Sequence, residues 1–272
     1  MRKLFATILA VGFIFITGSI VNAASVGSPE TQGKGKVAVG FDGSFIFDKN
    51  LNFRGAENID PFPDEDVKDA DIERGYQLML KTSYGVFDNL DVYVKLGWAD
   101  YKVDSIFQGT RETGVYTFPF VMNTDSDFAY GLGVKGNYEF KPSWLIGYDL
   151  QYLRSRHDMY LTKKRTTEAT GVFKDTTMQE WHAAFSIAKR IKNFLPYLGV
   201  RYSDARFKTK GIEDQLVWGV DMAWLYDFKF KADNNVGVFL GTDYNITKNL
   251  SVNIEGRFID ETAMSLGATY KF

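Results

Sequence analysis

The sequence contains no cysteine, only two histidines and only six prolines. Without cysteine there is no disulfide scaffold, no Cys-ligated zinc or iron–sulfur site, no thiol nucleophile and no lipid-modified N-terminal cysteine. Two histidines leave few ways to build a His-rich metal site. The formal net charge of −2 lacks the basic excess that is typical of nucleic-acid-binding proteins. We therefore expect no metal, no cofactor and no nucleic-acid partner.

Long apolar runs are also scarce, and the one present lies at the N-terminus. Met1-Arg2-Lys3 is positively charged, residues 4–16 are almost wholly apolar, and Val21-Asn22-Ala23 has the small-residue pattern of a signal-peptidase site. This pattern predicts a signal peptide over 1–23 and one mature domain over 24–272. A membrane anchor is the alternative, but the run is short for a spanning helix of about 20 residues. The exported product is then expected to be either soluble or a β-barrel.

Aromatic residues make up 16% of the chain, and they recur with a period of two. In the segment 250–258, for example, Leu250, Val252 and Ile254 share one face, while Glu255 and Arg257 share the other. This alternation is the signature of a β-strand. The same division holds in ten segments, namely 37–47, 76–86, 90–98, 128–140, 144–152, 181–187, 198–202, 236–246, 250–258 and 262–272. The sequence predicts about ten antiparallel strands, with eight or twelve also compatible.

The apolar faces carry no charge and are rich in aromatic residues, whereas the opposite faces carry Gly, Ala, Ser and charges of both signs. The apolar faces would suit contact with lipid, and the opposite faces would suit a crowded interior. The strands of a soluble β-sandwich or lipocalin-type barrel also alternate apolar and polar residues, so that class is the alternative. Tight turns are predicted at 87–89, 140–143, 190–194 and 247–249, and long connections at 48–71, 104–127, 158–177 and 208–235. This asymmetry predicts an up-and-down transmembrane β-barrel with short periplasmic turns and long extracellular loops. Within the last connection, segment 209–234 is either a further strand pair or, as we favour, a hairpin beyond the membrane.

Strand parity also predicts which charged side chains face the lumen. The inward positions are Lys36, Lys81, Lys95, Lys135, Arg190, Arg201, Arg257, Lys271, Asp42, Asp91, Glu139, Asp149, Glu180, Asp243 and Glu255. Buried charges persist when they are paired, and the interior of a ten-stranded barrel is only slightly wider than one that side chains just fill. We therefore predict a lumen closed by a salt-bridge network. Its core is formed by Lys81, Lys95, Lys135, Glu139, Asp149, Arg201, Asp243, Glu255 and Arg257.

Three further patterns bear on chemistry. Residues 131–136 match the dinucleotide motif G-x-G-x-x-G, but they lie inside an alternating strand, so the glycines are expected to make room in the lumen. The acidic segment 57–73 is interpreted as a solvated loop, with weak divalent-ion contact as the alternative. His157, Glu180 and His182 point inward on neighbouring strands, where a histidine beside a carboxylate would suit a general base. We favour a polar cluster over a catalytic one.

The signal peptide, the turn Gly-Val-Phe-Asp-Asn-Leu-Asp at 85–91 and the closing strand Ala-Thr-Tyr-Lys-Phe at 268–272 give the chain a resemblance to a known family. It resembles small Gram-negative outer-membrane β-barrels of the OmpA-like transmembrane class. The resemblance implies an outer-membrane location, contact with lipid and lipopolysaccharide, and assembly machinery that reads Tyr270 and Phe272. We expect a monomeric, non-enzymatic protein with a role in envelope integrity or surface contact. A diffusion pore and a barrel protease or lipid A hydrolase are the alternatives.

Overall fold

A computed structural model describes residues 25–56, 66–111, 114–163, 169–217 and 220–272, and the fold is all-β. Twelve antiparallel strands follow one another: β1 (Val37–Ala56), β2 (Asp66–Phe87), β3 (Leu90–Arg111), β4 (Gly114–Thr124), β5 (Asp127–Lys141), β6 (Trp144–Lys163), β7 (Ala169–Lys189), β8 (Phe194–Val217), β9 (Val220–Ala232), β10 (Val236–Asn245), β11 (Leu250–Phe258) and β12 (Thr262–Lys271). The fold class predicted from the sequence is confirmed. The predicted signal peptide lies outside the described residues. Within the described ranges, no helix is long and apolar enough to cross a membrane.

The wall of the barrel narrows from one end to the other. At the end with the short turns, ten strands close a ring in the order β10, β11, β12, β1, β2, β3, β5, β6, β7, β8, and β8 pairs with β10. Toward the other end, β4 replaces β5 between β3 and β6, and β9 alone connects β8 to β1. The upper ring is therefore β1, β2, β3, β4, β6, β7, β8 and β9. Strands β10, β11 and β12 end within the wall, beneath β9.

The connections predicted to be long loops are largely strand. Strand β4 lies within the predicted loop 104–127, and β9 lies within the segment 209–234. Strands β8 and β9 form a hairpin above the ten-stranded ring, and β9 also pairs with β1, so the segment contributes a further strand to the wall. Uncharged outward faces that alternate with charged inward faces predict only the lower part of the wall. Higher up, the apolar side chains face inward and the charged side chains face outward.

The outer surface of the ten-stranded ring carries a continuous apolar belt. Leu132, Leu150, Leu198 and Leu240 are each more than half exposed on four different strands. Exposed aromatic residues border the belt at both ends: Trp98, Phe128, Trp181 and Tyr202 at the upper border, and Tyr138, Phe140, Phe194 and Tyr244 at the lower border. An apolar band between two aromatic girdles is the outer surface of a transmembrane β-barrel.

Above the upper girdle the two faces of the wall exchange polarity. On β3, Trp98 is exposed to the outside, whereas the next inward positions, Tyr101 and Val103, are buried and apolar. On β8, Phe207 is completely buried inside, and its neighbours Arg206 and Lys208 are exposed outside. The upper ring therefore has the polarity of a soluble barrel, with its apolar residues inside.

Glycine 133 of the G-x-G-x-x-G segment lies in the middle of β5 and faces the lumen. A Cβ atom at this position would lie 2.3 Å from Cζ of Tyr93, so only glycine leaves space for that ring. Tyr93 in turn donates a hydrogen bond to Asp149 at 2.7 Å. The glycine accommodates a luminal side chain and does not form a phosphate-binding turn, which would require a strand followed by a helix.

Candidate functional site

Three layers occupy the lumen, one above another from the short-turn end upward. The first layer is residues 25–32, which precede β1 and run inside the ten-stranded ring. Ser25 Oγ donates to Asp42 Oδ2 at 2.5 Å, and the backbone amides of Val26 and Gly27 donate to the two carboxylate oxygens of Glu255 at 3.1 and 2.8 Å. Backbone amides that satisfy a buried carboxylate hold this segment in a defined position. We call it the N-terminal plug.

Lysines of the wall complete the hydrogen bonding of the plug. Lys95 donates to the carbonyl oxygen of Ser25, and Lys135 donates to that of Ser28, each at 3.1 Å. Val26 packs in an apolar cluster with side chains of β6, β7, β8 and β10, including Leu145, Leu195 and Phe239. The plug therefore combines burial of an apolar side chain with bonds to both its amides and its carbonyls.

Glu30 closes the plug at the mouth of the barrel, outside the strands. Lys271 donates to its carboxylate at 2.8 Å, and Arg190 lies at 3.5 Å. Burial by itself would raise the pKa of Glu30, but the Lys271 ammonium and, further away, Arg190 outweigh it and hold the pKa below its usual value. The N-terminal segment is thus clamped to the last strand, β12, by an ionised pair.

The second layer is a network of buried charges at the level where the wall narrows. Lys49 Nζ contacts Glu180 Oε1 at 2.5 Å and Glu261 Oε2 at 3.0 Å, and Arg201 Nη2 contacts Asp260 Oδ2 at 2.6 Å and Glu261 Oε1 at 2.8 Å. Arg257 contacts Glu261 at 2.8 Å and Glu255 at 3.2 Å. We call this set the charged layer: Lys49, Glu180, Arg201, Glu255, Arg257, Asp260 and Glu261. Its side chains are almost completely excluded from solvent.

The turn between β11 and β12 supplies two of these carboxylates. Ile259 has a φ of +84°, a left-handed conformation that a β-branched residue rarely adopts. This backbone turn directs Asp260 and Glu261 into the lumen, where both are buried. Asp260 and Glu261 lie in the connection between the predicted strands 250–258 and 262–272, and Lys49 lies beyond the end of the predicted strand 37–47. Strand parity therefore did not identify these three members of the charged layer. The parity pattern gave no signal for them, because two lie in a turn and one follows the β-bulge between Ile46 and Asp48.

Most of the other predicted lumen residues lie inside the wall. Lys95, Lys135, Asp149, Arg201, Glu255 and Arg257 are buried, while Lys81 and Asp243 are half-buried beside the plug. Lys81 Nζ lies 4.1 Å from the centre of the Tyr93 ring. The predictions for Lys36, Glu139 and Arg190 were wrong, since all three side chains are exposed near the lower rim, where Glu139 accepts from Arg190 at 2.9 Å. Parity fails there because the strand ends at the turn, where inward positions reach solvent.

The two histidines do not form one cluster. His182 Nε2 lies 3.1 Å from Glu180 Oε2, inside the charged layer. His157 is opposite Thr176, whereas His182 is opposite Gln151, so six residues of β6 separate the two levels, about 20 Å along the strand. His157 contacts the carbonyl oxygen of Asp125 at 3.0 Å and Ser155 Oγ at 2.7 Å. Both rings are buried, so neither stands at a solvent-exposed rim.

The third layer is an apolar core inside the eight-stranded ring. Its largest side chains are Ile72, Tyr101, Met122, Met159, Phe207, Phe228 and Phe230, all buried. Phe207 and Phe230 are in contact with ring centres 6.0 Å apart. Beneath the charged layer, a cavity of about 70 Å³ lies beside the plug and Lys81. That volume has room for a few water molecules.

The acidic segment 57–73 is described only in part. Residues 57–65 lie outside the described ranges, and 66–73 form the beginning of β2. In the part of the chain that the structure covers, no group of three or more His, Asp or Glu side chains is arranged to hold a metal ion.

Partial sequence similarity and likeness of fold relate this chain to known outer-membrane proteins. A segment of 140 residues is 26% identical to the major outer membrane porin, serovar D, of Chlamydia trachomatis, covering 39% of this chain and 35% of that protein. The match therefore spans about a third of the length of this curated relative. The outer membrane protease OmpT from Escherichia coli is a structural neighbour, with a TM-score of 0.54, 11% identity, and coverage of 90% of this chain and all of its own. The chain has the fold of an outer-membrane β-barrel.

The outer membrane protein OprG from Pseudomonas aeruginosa is 11% identical, with a TM-score of 0.48, and covers 89% of this chain and 99% of its own. No protein-family model matches. The porin relatives and the fold of OmpT support an outer-membrane β-barrel but not the narrower OmpA-like family that the sequence resembles. The apolar belt is the surface that this membrane requires, and the protein is located in the outer membrane.

Proposed function

We propose that this outer-membrane barrel is closed and non-enzymatic, and that it displays its upper ring outside the membrane in an envelope-integrity or surface-contact role. The observation that carries the proposal is the succession of plug, charged layer and apolar core through the whole lumen. The upper ring is long enough to project. From Trp181 at the girdle to Ala169 at the start of β7 there are twelve residues, about 40 Å along the strand.

The closed lumen predicts the electrical behaviour of the protein. The mature chain, refolded and inserted into planar bilayers, is expected to show no steady conductance step, because each layer excludes a water-filled path. A variant lacking residues 25–30 is expected to remain nearly non-conducting, since the charged layer and the apolar core still block the barrel. A large, steady conductance of the wild-type protein would contradict the closed barrel and favour a pore.

The second candidate is a diffusion channel for small solutes. It is favoured by the partial similarity to proteins that are named porins. The lumen argues against it, because porins with open channels are built from about 16–18 strands, whereas the lower ring here has ten. The same bilayer measurement separates the two proposals.

An enzyme is less well supported. The fold neighbour OmpT is named a protease, but likeness at 11% identity concerns the fold alone. In this chain Glu180 and His182 are both buried, and Glu180 also bonds to Lys49 and to Ser203. A general base needs access to the proton that it removes, which this enclosure denies. Proteolytic or lipid A hydrolase activity that is lost in His182→Ala would reverse this conclusion.

The last strand is proposed to be the segment that the assembly machinery reads. Tyr270 and Phe272 stand two residues apart at its end, with ring centres 5.0 Å apart. Changing both to Ser should leave the precursor exported and strongly reduce the fraction that reaches the folded, heat-modifiable form. Thr269→Ser, an inward-facing change in the same strand, is the matched control. Wild-type folding of the double variant in cells would contradict the proposed role.

A further inference from the structure

The outer wall of β6 to β9 carries two consecutive rows of basic side chains. The strand register places Arg154 opposite Gln179, Gln179 opposite Arg206, and Arg206 opposite Lys231, so these residues form one row across four strands. In the next row up, Arg156, Thr177, Lys208 and Lys229 are aligned in the same way. We call the six basic residues of the two rows the basic wall patch.

The lower row of the patch has more positive charge than the carboxylate beside it neutralises, whereas Arg156 in the upper row is paired with Asp175. Arg206 and Lys231 are directly opposite each other, an arrangement of like charges that is unfavourable by itself. Both approach the same carboxylate, Asp204, at 2.9 and 3.5 Å respectively. One carboxylate between two cations leaves a net positive charge. The Arg206 side chain is 57% exposed, so it remains open to a further anion.

The patch lies immediately above the upper aromatic girdle. Tyr152 and Trp181, whose ring centres are 4.7 Å apart, occupy the outward row directly below Arg154 and Gln179. Two residues along a strand correspond to about 7 Å. Tyrosine and tryptophan mark the membrane–water interface in barrels of this type. The lower basic row is thus at the height where lipid headgroups begin.

The opposite wall carries the opposite charge at the same height. Among the described side chains outside β1 to β5, above the girdle, the acidic residues outnumber the basic residues Arg54, Arg74 and Lys102; the acidic ones are Asp48, Asp71, Glu73, Asp100, Asp104, Asp125 and Asp127. Lys102 is already paired with Glu73. The excess of basic residues is therefore a property of one sector of the wall and not of the whole circumference.

We propose that the basic wall patch binds the phosphate groups of a phosphorylated glycolipid headgroup in the outer leaflet. Arginine offers paired N–H donors that match two oxygens of one phosphate, and lysine adds point charge. Arg154, Arg206 and Lys231 hold the phosphate nearest the membrane, while the acyl chains lie against the apolar belt below Trp181. The site is on the outer wall, so it does not depend on whether the lumen is closed.

The test is a binding titration of diphosphorylated lipid A to the refolded mature barrel in detergent micelles. The triple variant Arg154→Gln, Arg206→Gln, Lys231→Gln should bind about tenfold or more weakly than wild type, and higher salt should weaken wild-type binding. Lys102→Gln in the acidic sector is the matched control and should bind as wild type does. Lipid A without its phosphates should bind wild type as weakly as it binds the triple variant.

Several results would overturn the proposal. These are equal binding by the triple variant, an equal loss in the Lys102→Gln control, or undiminished binding of dephosphorylated lipid A. Competition by inorganic phosphate or an acidic peptide as effective as lipid A itself would show that the patch serves another anion. Heat-modifiability checks that each variant is folded. If the triple variant does not fold, Arg206→Gln alone should weaken binding by several-fold, and unchanged binding would overturn the proposal equally.

Discussion

Replacing Arg201 by Met is expected to lower the free energy of unfolding by about 3–5 kcal/mol. The guanidinium is completely buried, and it binds Asp260 at 2.6 Å and Glu261 at 2.8 Å. Asp260, also completely buried, would lose the only cation that contacts it among the described residues, and a buried carboxylate without a partner is costly. Urea titration of the refolded barrel in micelles, followed by tryptophan fluorescence, measures the change.

Two other substitutions serve as comparisons for the loss of stability expected in Arg201→Met. Arg257→Met should cost less than Arg201→Met, because Glu261 retains Lys49 and Arg201, and Glu255 retains the plug amides and the Tyr197 hydroxyl. It should still lower stability and raise any residual conductance. Arg156→Met breaks only an exposed pair with Asp175 and should leave the free energy of unfolding nearly unchanged. If Arg201→Met were as mild as Arg156→Met, the charged layer would not be the structural centre of the lumen.

Replacing Leu132 by Arg is expected to destabilise the barrel in a bilayer by about 2–4 kcal/mol. Leu132 is 54% exposed on β5, between Phe128 near the upper girdle and Tyr138 near the lower one, so its side chain lies near the middle of the belt. An arginine there would place its charge in hydrocarbon. Denaturant titration in lipid vesicles, with folding followed by heat-modifiability, measures this loss.

The control for Leu132→Arg is an arginine introduced above the upper girdle. Asn50 is exposed on β1 opposite Asp71, outside the apolar belt, and Asn50→Arg should be close to neutral. A second comparison uses detergent, in which the penalty at Leu132 should shrink, because micelles deform around a charge more easily than a bilayer does. Equal effects at positions 132 and 50 would mean that the apolar face of β5 does not meet lipid.

The alternation of residues determined the lower half of this protein. Leu250, Val252 and Ile254 on one face of β11, with Glu255 and Arg257 on the other, already indicate a wall between lipid and a polar lumen, since a strand turns successive side chains to opposite sides. The same alternation predicted the tight turns and the closing strand. The pairing of strands β10 to β12 with their neighbours agrees with it.

Only the tertiary structure determined how the strands of the upper half pair and how the lumen is filled. Alternation assigns two faces to a strand, but it does not say which face meets water, and above Trp98 and Trp181 the apolar face turns inward because the outside is no longer lipid. The number of strands in each ring depends on pairing between distant segments, such as β9 with β1, which no local pattern encodes. Asp260, Glu261 and Lys49 meet because β9 covers three shortened strands and a left-handed turn at Ile259 points inward. Such contacts join residues up to 212 positions apart, so they exist only once the ring has closed.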